Sequence, residues 1–158
     1  MKTVYTTLMT VGLSCTTLAW GSETLPRESM AGATSVREMI DVYKNPNCGC
    51  CGKWVEHMQS AGFKVRVHEL GEVAPMRQKL GMPERYASCH TAKVGNYLLE
   101  GHVPAADVKR LLRERPKAIG LAVPGMPAGS PGMEGPPPAS YNTLLVKSDA
   151  DSVIFARH

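Results

Sequence analysis

Three cysteines within four positions, Cys48, Cys50 and Cys51 in Asn47-Cys48-Gly49-Cys50-Cys51-Gly52, are the residues of this chain best suited to chemistry. A fourth, Cys89, is followed directly by His90. A thiol binds a metal or attacks a disulfide only as the thiolate. The triplet lies between an apolar, strand-like run and a periodic, helix-like run, and the unpaired N–H groups and dipole at the start of a helix favour thiolate. Two chemistries are therefore open to the cluster: thiol–disulfide exchange and the binding of a soft cation.

Cys48 and Cys51 stand in a Cys-x-x-Cys frame, which by itself reads as a thioredoxin-like redox motif. Three features weigh against a dithiol oxidoreductase. Cys50 intrudes between the pair and would scramble a catalytic disulfide. The loop that faces the redox pair in that fold carries a cis proline, whereas this chain has Ser88-Cys89-His90-Thr91 there. Met126 and Met133, each in a Pro-Gly-Met repeat, add thioether sulfur from a Pro/Gly-rich segment where a core role is awkward. Thiolates, an imidazole and thioethers together suit Cu(I), with the thioethers discriminating against zinc. Zinc stays a competitor for any Cys₄ or Cys₃His set, and a zinc-stabilised structural module is a third reading beside copper binding and thiol–disulfide exchange. There are more thiolates than one low-coordinate Cu(I) needs, which permits bridging sulfur and a multinuclear site.

Each residue also has a plainer reading. For the triplet it is a structural disulfide with a spare thiol, the default in an oxidising compartment; the adjacency of Cys50 and Cys51 disfavours it, because neighbouring cysteines pair only with strain. Cys89 could instead be a small buried hydrophobe. His90 divides between a ligand and a residue that shapes a ligand's surroundings. His102 reads as a hydrogen-bonding residue at a strand end, and His57 and His68 as solvated. Met39, Met58 and Met76 read as core fillers, and Met82 has no assignment. Of the two loop methionines, Met126 is favoured over Met133 as metal-facing.

The elements that must position these residues follow from pattern. Val36 to Tyr43 is a nearly continuous apolar run, a strand covered on both faces. Lys44 to Asn47 is turn chemistry, and a helix from about Cys51 to Ala61 puts Trp54, Val55 and Met58 on one face before Gly62 stops it. Val65 to Leu70 is a second strand and Val73 to Leu80 a second helix, closed by Gly81 and Pro83. Cys89–Val94 and Tyr97–Val103 form a hairpin around Gly95-Asn96. A helix starts at Pro104 and buries Val108, Leu111 and Leu112. Gly120 to Pro138 reads as a Pro/Gly/Met-rich loop, and Thr143–Val146 with Ser152–Ala156 as a second hairpin. This order predicts an α/β, thioredoxin-like domain over residues 35–158: a central mixed sheet flanked by helices, then the loop and the C-terminal strands.

The chain has 158 residues, 43% hydrophobic and 20% charged, with a net charge of +4, enough for one domain with a real core. No Lys/Arg block of nucleic-acid type is present. Lys2, the apolar run Leu8 to Trp20 and Ala19-Trp20-Gly21 predict a signal peptide over residues 1–21, followed by a linker over 22–34. The run is too short for a comfortable membrane span. Gly12, three residues before Cys15, disfavours a lipoprotein anchor. The expected location is the periplasm, with no membrane attachment after cleavage.

Four stretches carry a resemblance: Pro46-Asn47-Cys48-Gly49-Cys50-Cys51-Gly52-Lys53-Trp54, Ala87-Ser88-Cys89-His90-Thr91-Ala92, Glu100-Gly101-His102-Val103-Pro104-Ala105, and Gly120-Leu121-Ala122-Val123-Pro124-Gly125-Met126-Pro127 with Gly129-Ser130-Pro131-Gly132-Met133-Glu134. In these the chain resembles the periplasmic copper-resistance CopG proteins, from about Val36 onward. The resemblance implies a thioredoxin-like fold and a site for several copper ions. Cys48, Cys50, Cys51 and Cys89 would be its thiolate ligands and Met126 a supporting one. It further implies a role in copper resistance, as a copper oxidoreductase interconverting Cu(I) and Cu(II) beside an efflux system or a periplasmic copper chaperone.

Overall fold

The computed structural model describes residues 38–137 and 139–158; the expected signal peptide and linker lie outside them. β1 (Met39–Lys44) is the apolar run seen in the sequence, with Ile40 and Val42 fully buried. It pairs in parallel with β2 (Lys64–Glu69) and antiparallel with β3 (His90–Val94), which turns through Gly95-Asn96 into β4 (Tyr97–Gly101). The two parallel strands are joined by α1 (Gly49–Ser60), and α2 (Ala74–Leu80) with a 3₁₀ turn at Glu84–Tyr86 leads from β2 to β3. α3 (Ala105–Glu114) follows β4. This β2-β1-β3-β4 core with its helices is thioredoxin-like.

Three further strands widen the sheet to seven, in the order β2-β1-β3-β4-β5-β6-β7. β5 (Gly120–Val123) runs parallel to β4, while β6 (Asn142–Val146) and β7 (Ser152–Arg157) add antiparallel. Both faces of the sheet are covered. On one, Ile40, Val42, Ala92, Leu99 and Leu121 pack with Trp54 and Met58 of α1 and Val108 and Leu111 of α3. On the other, Leu98, Ala122 and Val146 pack with Met82 and Tyr86.

The structure departs from the sequence reading in several places. Gly120–Val123 is a strand, not the start of the loop, and all four residues are buried. Three apolar residues between Gly120 and Pro124 carry too little periodicity to reveal a strand. Gly120 is required there because any Cβ would fall on the Leu98 carbonyl oxygen of β4. The first helix starts at Gly49, two residues early, which draws Cys50 and Cys51 into its first turn. Met39 is 38% exposed and fills no core, since it opens its strand, whereas Met58 and Met82 are buried. The hairpin pairing is shorter than expected, so Cys89 and His102 lie just past its paired ends.

Candidate metal centre

Cys48 precedes α1 with extended backbone, its N–H donating to the Asn45 carbonyl (3.1 Å), and its own carbonyl accepts from Gly52 N–H (3.3 Å). The next three residues therefore wind into the first helical turn. Positions three apart on a helix lie on one face. This puts Cys48 and Cys51 at a Cα separation of 5.3 Å, within disulfide range, and their sulfurs are bonded. Cys50 and Cys89 are free thiols. The sequence reading disfavoured a disulfide within the cluster, and helical geometry overturns that: the strain argument concerns Cys50 with Cys51, not the i, i+3 pair. Cys50 Sγ lies 3.5 Å from Cys48 Sγ. All four sulfurs, Cys89 included, fall within 4.8 Å of one another.

Cys89 sits at the centre of a second group with His90 and His102, one atom of each lying within 4.8 Å of the others. His102 Nδ1 lies 2.7 Å from the Pro131 carbonyl. A carbonyl only accepts, so Nδ1 carries the proton and Nε2 turns its lone pair to Cys89 Sγ, 2.9 Å away. This ring orientation, one nitrogen pinned and the other presented, is that of a metal-ligating histidine. His90 is fully buried; its Nδ1 is 3.6 Å from Cys89 Sγ and its Nε2 has no hydrogen-bond partner among the described residues. Its ring lies 4.4 Å from Trp54 and 5.2 Å from His102, centroid to centroid.

Burial lowers the His90 pKa to about 3, helped by the neighbouring His102, and burial lowers that of His102 too. Burial and the neighbouring Cys50 push the Cys89 thiol up to about 11. The thiolate preference of the helix start does not reach this fourth sulfur. Without metal the pair is a neutral thiol donating to a neutral imidazole, unlike the thiolate–imidazolium pair of a nucleophilic cysteine. A bound cation that displaces the proton reverses the balance.

His102 is a hydrogen-bonding residue at the strand end, as its place in the sequence predicts; its contact with Cys89 is what that reading lacks. The signal was present in the hairpin register. Thr91 pairs with Glu100 and Val94 with Tyr97, so two residues beyond Thr91 on each strand Cys89 meets His102. His57, expected in solvent, accepts the Ala105 N–H at the start of α3 through Nε2 (3.0 Å). His68 is half-buried, bonded to Asp41 (2.8 Å) and stacked on Tyr43. Neither belongs to either ligand group.

The Pro/Gly/Met-rich loop is stitched over the cluster at two points. Gly125 N–H donates to the Ala87 carbonyl (3.3 Å), and its carbonyl accepts from the Ser88 hydroxyl, beside Cys89. Further along, Pro131 holds His102. Gly132 lies so close that a Cβ would be 2.6 Å from the Cys50 carbonyl oxygen, at a φ of +88°. Met126, one residue from the first anchor, is 53% exposed, and Met133, after the second, is half-buried.

A thioredoxin-like domain that gathers four cysteines and two histidines around the start of its first helix is a member of that fold with a cluster able to bind a metal. A family model described as "Protein of unknown function, DUF411" matches residues 86–133. One solved structure of copper resistance protein CopG, form 2, is 40% identical with a TM-score of 0.73, over 77% of this chain and 98% of that one. Form 1 of that protein is likewise 40% identical, with a TM-score of 0.71 over 76% and 96%. The chain belongs to the CopG copper-resistance family. No curated protein sequence compared with it gives a significant match.

Proposed function

We propose that this chain is an exported copper-binding protein of copper resistance, holding Cu(I) in a multinuclear site of four thiolates. Cys48, Cys50, Cys51 and Cys89 are the ligands, with His102 presenting Nε2, His90 beside it, and Met126 and Met133 as thioether support. One observation carries the reading: four sulfurs from segments some forty residues apart lie within 4.8 Å of one another. Thiolates that outnumber the needs of one low-coordinate Cu(I) bridge several ions, and the soft donor set selects copper over zinc.

The Cys48–Cys51 disulfide is the oxidised form of two of these ligands, so the four-thiolate site exists only when it is reduced, and the oxidised site offers Cys50 and Cys89 alone. Formation of the disulfide from two thiols releases two electrons and two protons, enough to reduce two Cu(II) to two Cu(I); the reverse step oxidises two Cu(I). The leader-like residues 1–21 support a periplasmic location, where copper would pass to or from an efflux system or a copper chaperone.

Anaerobic Cu(I) titration of the reduced chain, with X-ray absorption on the same sample, tests this. The expected result is several coppers per chain in a sulfur-dominated environment, reduced by each of Cys48→Ser, Cys50→Ser, Cys51→Ser and Cys89→Ser. One zinc and no copper after competition would overturn it. The disulfide itself favours a second reading, a thiol–disulfide oxidoreductase. Insulin reduction that persists in Cys50→Ser would support that reading instead.

A further inference from the structure

We propose that the buried Arg77–Glu100 ion pair is the device that aims Cys89 at the other three sulfurs, in the place where thioredoxin-like domains use a cis proline. Its functional meaning rests on the copper reading above. Cys89 ends an unpaired segment that follows the 3₁₀ turn, so no strand pairing fixes the backbone that carries it. Ser88, immediately before it, is instead clamped at both backbone groups. Its N–H donates to Glu100 Oε1 (2.7 Å) and its carbonyl accepts from Arg77 Nη2 (2.6 Å). That carbonyl belongs to the peptide unit that contains the Cys89 nitrogen, so Arg77 sets the plane from which the Cys89 side chain departs.

The clamp closes on itself. Arg77 Nε donates to the same Glu100 oxygen (2.9 Å), and Thr91 Oγ1 donates to the other (2.6 Å), which fixes the carboxylate plane. Arg77 comes from α2 and is 4% exposed; Glu100 comes from β4 and is fully buried. Gly101 lets Ser88 lie close against the end of β4: a Cβ there would be 2.5 Å from Ser88 Oγ, at a φ of +70°. The Ser88 hydroxyl reaches on to Gly125 and so ties the Met126 loop to the same point. A buried ion pair returns little net stability over apolar residues of the same volume, because desolvation offsets the attraction. What apolar residues cannot supply is one donor and one acceptor for Ser88. Arg77 and Glu100 are thus positioning residues.

The test needs no metal. In the full chain carrying Cys15→Ser, Cys48→Ser and Cys51→Ser, Cys50 and Cys89 are the remaining thiols. With a chelator present, the equilibrium of their disulfide against glutathione measures how well the two sulfurs are held together. Replacing the pair by Arg77→Met with Glu100→Leu is expected to lower that constant about tenfold, because a misplacement of order 1 Å has effects of this size or larger. Glu100→Gln, which keeps the volume and an acceptor, is expected to lower it less, and it decides the matter if the double variant does not fold. An unchanged constant in a folded variant overturns the proposal. In the chain with all its cysteines, the double variant should also weaken Cu(I) binding in chelator competition, and adding Cys89→Ser should cost nothing more; fully additive losses would overturn it as well. A chain that takes up no copper refutes the copper reading alone, and the glutathione equilibrium still decides the clamp.

Discussion

Cys48, Cys50 and Cys51 occupy one helical turn, whereas Cys89 hangs from a loop held by residues of two other elements. On the α1 side, the Cys48–Gly52 backbone bond and the 3.6-residue repeat bring the sulfurs together, and almost every contact involved spans four residues or fewer. On the other side, Ser88 reaches eleven residues back to Arg77 and twelve forward to Glu100. The first arm forms wherever the helix forms. The second exists only once α2, β3 and β4 are assembled. A ligand on such a loop is adjustable by changes remote from it, and one on a helix start is not.

The difference can be broken from either side. The largest effect is expected from Arg77→Ala. It leaves the Glu100 carboxylate buried without its partner, which costs roughly 3–5 kcal/mol. A denaturant midpoint close to that of the unmodified protein would show that the ion pair holds nothing. Gly101→Ala is expected to cost about 1–3 kcal/mol, from a left-handed backbone that alanine resists and from collision with Ser88. The same change on the helical arm has the opposite sign. Gly52 lies inside α1 with nothing within 4 Å of a Cβ, so Gly52→Ala should stabilise by about 0.5–1 kcal/mol. If both substitutions destabilise equally, the two arms are not built differently.

The smallest effect concerns pH. Burial holds the His57 pKa below its usual value, with Glu134 opposing, and its neutral Nε2 accepts the Ala105 N–H. A folded pKa below the unfolded one gives stability that is complete above the ordinary histidine range and is lost as pH falls through it. Urea midpoints measured from pH 7.5 down to about 5 should therefore fall further for the unmodified, metal-free protein than for His57→Asn, whose amide can still accept that bond. Equal slopes would remove His57 from the account. Comparing the two proteins isolates His57 from His90 and His102, whose shifts have the same sign.

Strand β1, helix α1, the β3–β4 hairpin and α3 were legible because each pairs an apolar period with its own turn signal: Asn45-Pro46, Gly62, Gly95-Asn96 and Pro104. β5 was not, since four residues show no period and its Gly reads as a loop marker until the close approach to Leu98 is seen. The four thiols were legible by type and spacing. His102 was legible as a strand-end hydrogen-bonding residue, while its contact with Cys89 depends on hairpin register; His57 was misjudged because its partner is the backbone of a distant helix. Arg77 left no mark at all: one arginine on a short amphipathic helix looks solvated, and only the folded sheet buries it.

The amino-acid order by itself determined which donors are available and how three of them cluster, because helix geometry acts over four residues. It also determined the thioredoxin-like succession of elements. Tertiary structure alone decided how Cys89 is held against them, that His102 turns its lone pair toward that sulfur, and that a buried charge pair holds the loop between. The physical reason is range: local backbone geometry is written in neighbouring residues, while the direction of a loop depends on hydrogen bonds to groups that only the completed sheet brings within reach.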